Sequence, residues 1–342
     1  MLNIYTNNIN NRSFLDFIFE NYDYVTTDKL TKSCNLAFLH DELNGSNIEE
    51  FSNLIRICSN YCKIVILFGN EFHGIHLDLL KNIENIENFY YICPAKLYNL
   101  TVKNIFHGYW LKNTSKIYKK LSYKLDNLQP YSAKLYYFDA LLGSEKQNRQ
   151  FVYDSILDYD KNKFILSYSN LTNTSQFIKD DDVIIPNSVT HTHSLTPLNY
   201  NGVDCLICQI ISTNTYKNSA YSIVTETNVS NPYFFPTEKI TKPILARRLF
   251  IPFTSQYFLK NLQELGFKTF NSVIDESFDD VGDDAKRWTA AFEQVKYLCN
   301  QSQEFIFEQI KDICDYNYNH LMTSDWDGDT CNKVRSIIDI NI

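Results

Sequence analysis

Short, strongly apolar runs recur through the first 130 residues with amphipathic stretches between them, and this alternation constrains the fold more than any other feature of the chain. Leu2–Tyr5, Asn35–Leu39, Lys63–Phe68 and Phe89–Cys93 read as strands, and Ser13–Glu20, Asn47–Asn60 and Ile75–Ile83 as the helices between them. Strand–helix alternation with short connections predicts a parallel, doubly wound α/β sheet. In such a sheet functional groups gather at the carboxyl ends of the strands. Two of these ends are polar, His40-Asp-Glu42 and Gly69-Asn-Glu-Phe-His73. Glu71 and His73 are the candidates for a general base, Glu71 first because it follows the most apolar strand. His40, Asp41 and Glu42 stand behind them, and the plainer alternative is that the acids cap a helix and His73 is a loop residue.

The fingerprints GxGxxG and GxxxxGK[ST] are both missing, which removes NAD binding and P-loop nucleotide hydrolysis. With 32 basic and 40 acidic side chains the net charge is −8, which argues against charge-driven binding along a nucleic-acid backbone. No apolar run approaches the ~20 residues of a membrane-spanning helix. With neither a basic n-region nor an apolar h-region ahead of the first strand, a cytoplasmic protein is expected. The abundance of Asn, Ile, Lys, Tyr and Phe suits an AT-rich microbial or viral genome. Nine cysteines, odd in number and set in apolar segments, read as reduced core thiols. Cys205 and Cys208 have only half the spacing pattern of a zinc site, and His191 and His193 sit in a polar stretch that reads as loop.

After Gln129-Pro130 a second block opens with the apolar strand Lys134–Asp139, a turn at Ala140–Gly143 and a helix carrying Lys146, Arg149 and Asp154. A basic helix start after a strand suits an anionic ligand. The stretch Asn170–Asn201 reads as irregular; Cys205–Ser212 and Ala220–Glu226 read as strong strands. From Thr237 onward the chain is mostly helical, with amphipathic segments at Asp284–Cys299, Ser302–His320 and Asp329–Ile338. The expected domains are thus 1–130 and 131–342, the latter with a helical tail. Thr237 is placed as an N-cap, so the helix after it presents free N–H groups and the positive end of its dipole, with Lys239 in the first turn. That start suits a diphosphate. Glu238 adds an acceptor for ribose hydroxyls, Lys242 shares the face of Lys239, and Arg247-Arg248 extend the positive field. An ordinary capped surface helix is the alternative for these residues taken alone.

Several motifs in order narrow that choice. Thr225-Glu-Thr227, Thr237-Glu-Lys-Ile-Thr-Lys-Pro-Ile244, Gly266-Phe-Lys-Thr-Phe270 and Ile274-Asp-Glu-Ser-Phe-Asp279 follow one another. The Thr-Glu-Lys helix start resembles the motif of the α1,3-fucosyltransferases. The whole series is similar to a broad group of glycosyltransferase-like proteins from bacteria and marine phages, over about residues 135–300. The resemblance implies two Rossmann-like domains in a GT-B arrangement, with a nucleotide-sugar donor held mainly by the C-terminal half. It assigns Glu238 to the ribose, Lys239 and Arg149 to the diphosphate, and Glu226 to a further nucleotide contact. Two departures are Pro243, expected to kink the helix, and Leu245-Ala-Arg-Arg-Leu249 in place of the family's small-residue continuation.

The expected activity is metal-independent transfer of a sugar from a nucleoside-diphosphate sugar to a hydroxyl, with a surface glycan as acceptor and no cofactor. Hydroxymethylated bases in phage DNA are the alternative acceptor, and a catalytically silent binding module is the alternative function. A metal phosphoesterase would need the acids Asp275, Glu276, Asp279, Asp280, Asp283 and Asp284 to converge with His191 and His193. Those acids read instead as loop and helix caps.

Overall fold

The structure, a computed structural model, describes residues 1–8, 15, 18, 19, 22–43, 45–72, 74–98, 100–168, 195, 197–229 and 233–341. It is a mixed α/β protein of two compact units, Met1–Tyr109 with Asp325–Ile342, and Trp110–Ser324. Most of the helix expected at Ser13–Glu20, together with His73, His191 and His193, lies outside the described residues.

The first unit is built on a parallel sheet whose strands are β1 (Leu2–Thr6), β2 (Tyr24–Thr27), β3 (Leu36–His40), β4 (Ile64–Phe68), β5 (Phe89–Cys93) and β6 (Lys103–Phe106). Their order is β2-β1-β3-β4-β5-β6, every pair parallel. The central strands β3 and β4 are buried at every position, which is why they read from the sequence as unbroken apolar runs. The strands β2 and β6 went unread because they are edges. Their half-exposed YVTT and KNIF segments carry no such run.

Helices α1 (Ile48–Tyr61) and α2 (Gly74–Asn82) connect these strands, burying Phe51, Ile55 and Cys58 from α1 and Leu79 and Leu80 from α2. The C-terminal helix Trp326–Asn341 buries Cys331, Val334 and Ile338 in the same core as Ile4, Phe38, Ile66 and Ile92 of the sheet. Burial of Val334 and Ile338 contributes about 1.5–3 kcal/mol each. This helix therefore completes the first unit, where the sequence reading made it the tail of the second. The expected boundary at residue 130 likewise falls inside the second unit, after the helix Ser122–Asp126.

The second unit holds the parallel strands β7 (Tyr136–Leu142), β8 (Phe164–Tyr168), β11 (Ser219–Val224) and β12 (Phe250–Pro252), ordered β8-β7-β11-β12. Between β8 and β11 lies an antiparallel hairpin, β9 (Pro197–Tyr200) with β10 (Val203–Leu206). The strand expected over Cys205–Ser212 stops at Leu206. Gln209 turns its buried side chain back to accept from the Leu206 N–H at 2.9 Å, and Ile207–Gln209 form a 3₁₀ turn. Helices α3 (Gln147–Tyr159), α4 (Glu238–Leu245), α5 (Phe258–Glu264), α6 (Asp284–Leu298) and α7 (Gln303–Thr323) pack around this sheet. Among the described residues no helix is long and apolar enough to cross a membrane.

Candidate functional site

Strand order marks where each parallel sheet opens a crevice. In the second unit the chain runs from β7 outward to β8, then returns past β7 to β11, so the topology reverses between β7 and β11. A parallel sheet opens a crevice at the carboxyl ends of such a strand pair. There β7 delivers Gly143, Ser144 and the start of α3, and β11 delivers Thr225, Glu226 and Thr227.

Glu226 is fully buried, and its two carboxylate oxygens accept from the backbone N–H of Thr237 at 3.0 Å and from its hydroxyl at 2.5 Å. Thr237 in turn accepts from the Lys239 N–H at 3.3 Å as the N-cap of α4. Glu226 thus holds the helix start in place; the sequence reading had it contacting a nucleotide. Burial pushes its carboxyl above the usual glutamate range, against the pull of Lys239.

Lys239 Nζ lies 2.7 Å from Glu238 Oε1 and 3.4 Å from the hydroxyls of Thr227 and Thr237. Burial opposes the charge of both partners, yet Lys239 and Lys242 hold the Glu238 carboxyl below its ordinary value, and Glu238 and Glu226 hold the Lys239 ammonium above its own. Lys242 donates to the carbonyl of Cys208 at 2.8 Å and sits in the same field. Pro243 lies inside α4, which runs on to Leu245 and closes with Arg247 in the left-handed region. The two arginines after it do not extend the field. Arg247 stacks on Tyr318 and pairs with Asp315, and Arg248 is buried against Asp139 at 2.7 Å.

Helix α3 brings two more cations. Its N-cap, Lys146, offers no side-chain acceptor to the first-turn N–H groups and sends its ammonium to the Thr227 carbonyl at 2.8 Å. Arg149 is buried, donates from Nη1 to the Ser144 carbonyl at 2.7 Å, and has an Nε without a hydrogen-bond partner among the described residues. Burial lowers the pKa of both groups, and Arg149 and Lys239 lower that of Lys146 further. Asn148, which the sequence reading missed, ties the site together by donating to the carbonyls of Phe253 at 2.7 Å and Glu226 at 3.3 Å. Its only sequence signal is its place beside Arg149. Lys146, Arg149, Lys239 and Lys242 therefore share one electrostatic neighbourhood with the carboxyl groups of Glu226 and Glu238, four basic side chains to two acidic ones. A cluster of this composition has the chemistry to hold a phosphate-bearing anion.

The acidic cluster has other work. Asp275 caps the 3₁₀ turn at Glu276–Asp280, Glu276 accepts from the Phe270 N–H, and Asp279 accepts from the Leu259 and Lys260 N–H groups at 3.0 Å each, capping α5. Asp283 caps α6 and Asp284 pairs with Arg287. Among the described residues no three histidine, cysteine or acidic side chains are grouped so as to hold a metal ion.

In the first unit the reversal lies between β1 and β3. Asn7, after β1, locks onto the backbone of His40 at the end of β3 through bonds of 2.7 and 3.0 Å. Asp41 follows, and Gly69 and the partly buried Glu71 follow β4 in the centre of the sheet. The structure pairs Asp41 with His76, a residue the sequence reading passed over.

No family model matches the chain, and no curated protein matches it.

Proposed function

We propose that the chain is a metal-independent glycosyltransferase of the GT-B type that moves a sugar from a nucleoside-diphosphate sugar to an acceptor hydroxyl, with a glycan as acceptor. The observation that carries this reading is the cluster of Lys146, Arg149, Lys239 and Lys242 at the topological reversal of the second unit, set around a helix start that Glu226 and Thr237 hold in place. The motif series that resembles the glycosyltransferase-like proteins of bacteria and marine phages includes the start of α4.

In this reading Lys239 and Arg149 take the diphosphate. Glu238, already in contact with Lys239, takes the ribose hydroxyls. Cleavage of the sugar–phosphate bond builds negative charge on the departing diphosphate, and fixed cations and helix N–H groups lower the energy of that charge in the transition state. The proton of the acceptor hydroxyl goes to a general base. Calorimetry with UDP, GDP and their sugars, with CMP as the monophosphate control, tests the reading. One of the two diphosphates should bind and its sugar conjugate should be consumed when a glycan acceptor is present. Failure of both diphosphates to bind would remove the proposal.

A further inference from the structure

Two helix starts lie at the reversal of the second sheet, and they differ in what they already hold. The start of α4 is met by its own chain: Thr237 accepts from the Lys239 N–H at 3.3 Å, and Glu238 in the first turn draws Lys239 Nζ to 2.7 Å. The start of the 13-residue helix α3 has no acidic residue in its first turn and no side-chain cap among the described residues, because its N-cap is Lys146. A helix N-terminus carries partial positive charge and favours an acceptor or an acid. A lysine in the capping position is therefore the opposite of what stability alone selects.

Arg149, the third residue of α3, turns back over that start. Its Nη1 donates to the Ser144 carbonyl at 2.7 Å and to the Ser144 hydroxyl at 3.1 Å, and a Cβ on Gly143 would stand 3.3 Å from the same nitrogen. The residue is 3% exposed, yet its Nε has no acceptor among the described residues. A buried donor on a charged group is costly to leave unpaired, so this N–H calls for an acceptor that those residues do not supply. Asn148 beside it pins the first turn of α3 across the ends of β11 and β12, through the carbonyls of Glu226 and Phe253.

The two starts meet at Thr227. Lys146 Nζ donates to its carbonyl at 2.8 Å, and Lys239 Nζ to its hydroxyl at 3.4 Å. Burial, and then the charges of Arg149 and Lys239, lower the pKa of Lys146. Three cations thus stand together against their own repulsion, an arrangement that marks a binding site for an anion.

We infer that the two helix starts divide the diphosphate between them: Lys239 at α4 holds the phosphate next to the nucleoside, and Lys146 with Arg149 at α3 holds the terminal one. The inference rests on the nucleoside-diphosphate reading of this unit. The order follows from Glu238, because the ribose it takes in that reading lies beside Lys239, which leaves the far phosphate to α3. Lys146 is then the residue that distinguishes a nucleoside diphosphate from a monophosphate.

The test is calorimetric titration of UDP, GDP, UMP and GMP into the full chain and its Lys146→Gln and Lys239→Ala variants. The glutamine keeps a donor for the Thr227 carbonyl and removes the charge. For whichever diphosphate the parent binds, Lys146→Gln should lose roughly 10-fold or more in affinity, while the matching monophosphate loses less than about twofold. Lys239→Ala removes the same charge at the other helix start and should weaken both nucleotides to a similar extent. Lys146→Met gives the same comparison if the glutamine variant fails to fold. Equal losses for the two nucleotides at Lys146, the result of a merely structural lysine, overturn the division and leave the donor reading standing. The same diphosphate-to-monophosphate ratio in the Lys146 and Lys239 variants overturns it as well, since only the overall field would then matter. If neither UDP nor GDP binds the parent, the donor reading falls and this inference with it.

Discussion

Glu226 accepts both the backbone N–H and the hydroxyl proton of Thr237, eleven residues away, so a buried carboxylate at a strand end dictates where α4 begins. Glu226→Ala would leave the Thr237 N–H buried without its acceptor, at a cost of about 1–3 kcal/mol in stability. Nucleoside-diphosphate affinity should fall with it, because the first turn of α4 loses its anchor. Urea unfolding and calorimetry on the same preparation measure the two effects.

Lys239→Ala and Arg149→Ala should each weaken nucleoside-diphosphate binding by about 1.5–3 kcal/mol, the value of hydrogen bonds to charged groups. Unchanged affinity in both variants would detach the diphosphate from this end of the sheet.

Glu226 and Glu238 should respond to pH with opposite signs. Burial raises the Glu226 pKa above the ordinary 4.5, so its contribution to stability is present below that value and is lost as pH rises through the raised one. Glu238 is held below 4.5 by Lys239 and Lys242 against burial, so its contribution is present above 4.5 and is lost as pH falls through the lowered value. Urea unfolding of Glu226→Gln and Glu238→Gln across pH 3–8 should therefore give differences from the parent that slope in opposite directions. Parallel slopes would contradict these assignments.

Turnover in excess EDTA should equal turnover in magnesium, since cations and helix N–H groups supply the positive charge at the diphosphate. Asp279→Asn should act on stability, costing about 0.5–2 kcal/mol for the damaged cap of α5. If EDTA abolishes activity and Asp279→Asn does so as well, the acidic cluster serves a metal.

Gly266 ends α5 with φ at +92°, the Phe267 N–H bonding back to the Leu262 carbonyl at 3.0 Å, and an added Cβ would meet the His320 ring at 2.8 Å. Gly266→Ala should destabilise the second unit by more than about 1 kcal/mol through strain and crowding together. A change in melting temperature indistinguishable from zero would contradict the contact.

Much of this molecule is written locally. The runs Leu36–His40 and Ile64–Phe68 are apolar at nearly every position because both faces of a central parallel strand are covered, and Thr237 and Asp283 cap helices through bonds spanning two or three residues. Periodicity and capping chemistry report such features because their causes lie within a few residues. The parallel α/β class, the start of α4 and the basic residues Lys146, Arg149, Lys239 and Lys242 were legible on that basis. Tertiary structure decided the rest. Edge strands bury too little to leave an apolar run, and the C-terminal helix looks the same in sequence whichever core receives Cys331, Val334 and Ile338. Glu226 beneath Thr237, Asn148 between two strand ends and Asp41 against His76 join residues 11 to 105 positions apart. Such pairs form because strand order carries distant chain ends to the same edge, and no local pattern encodes that order.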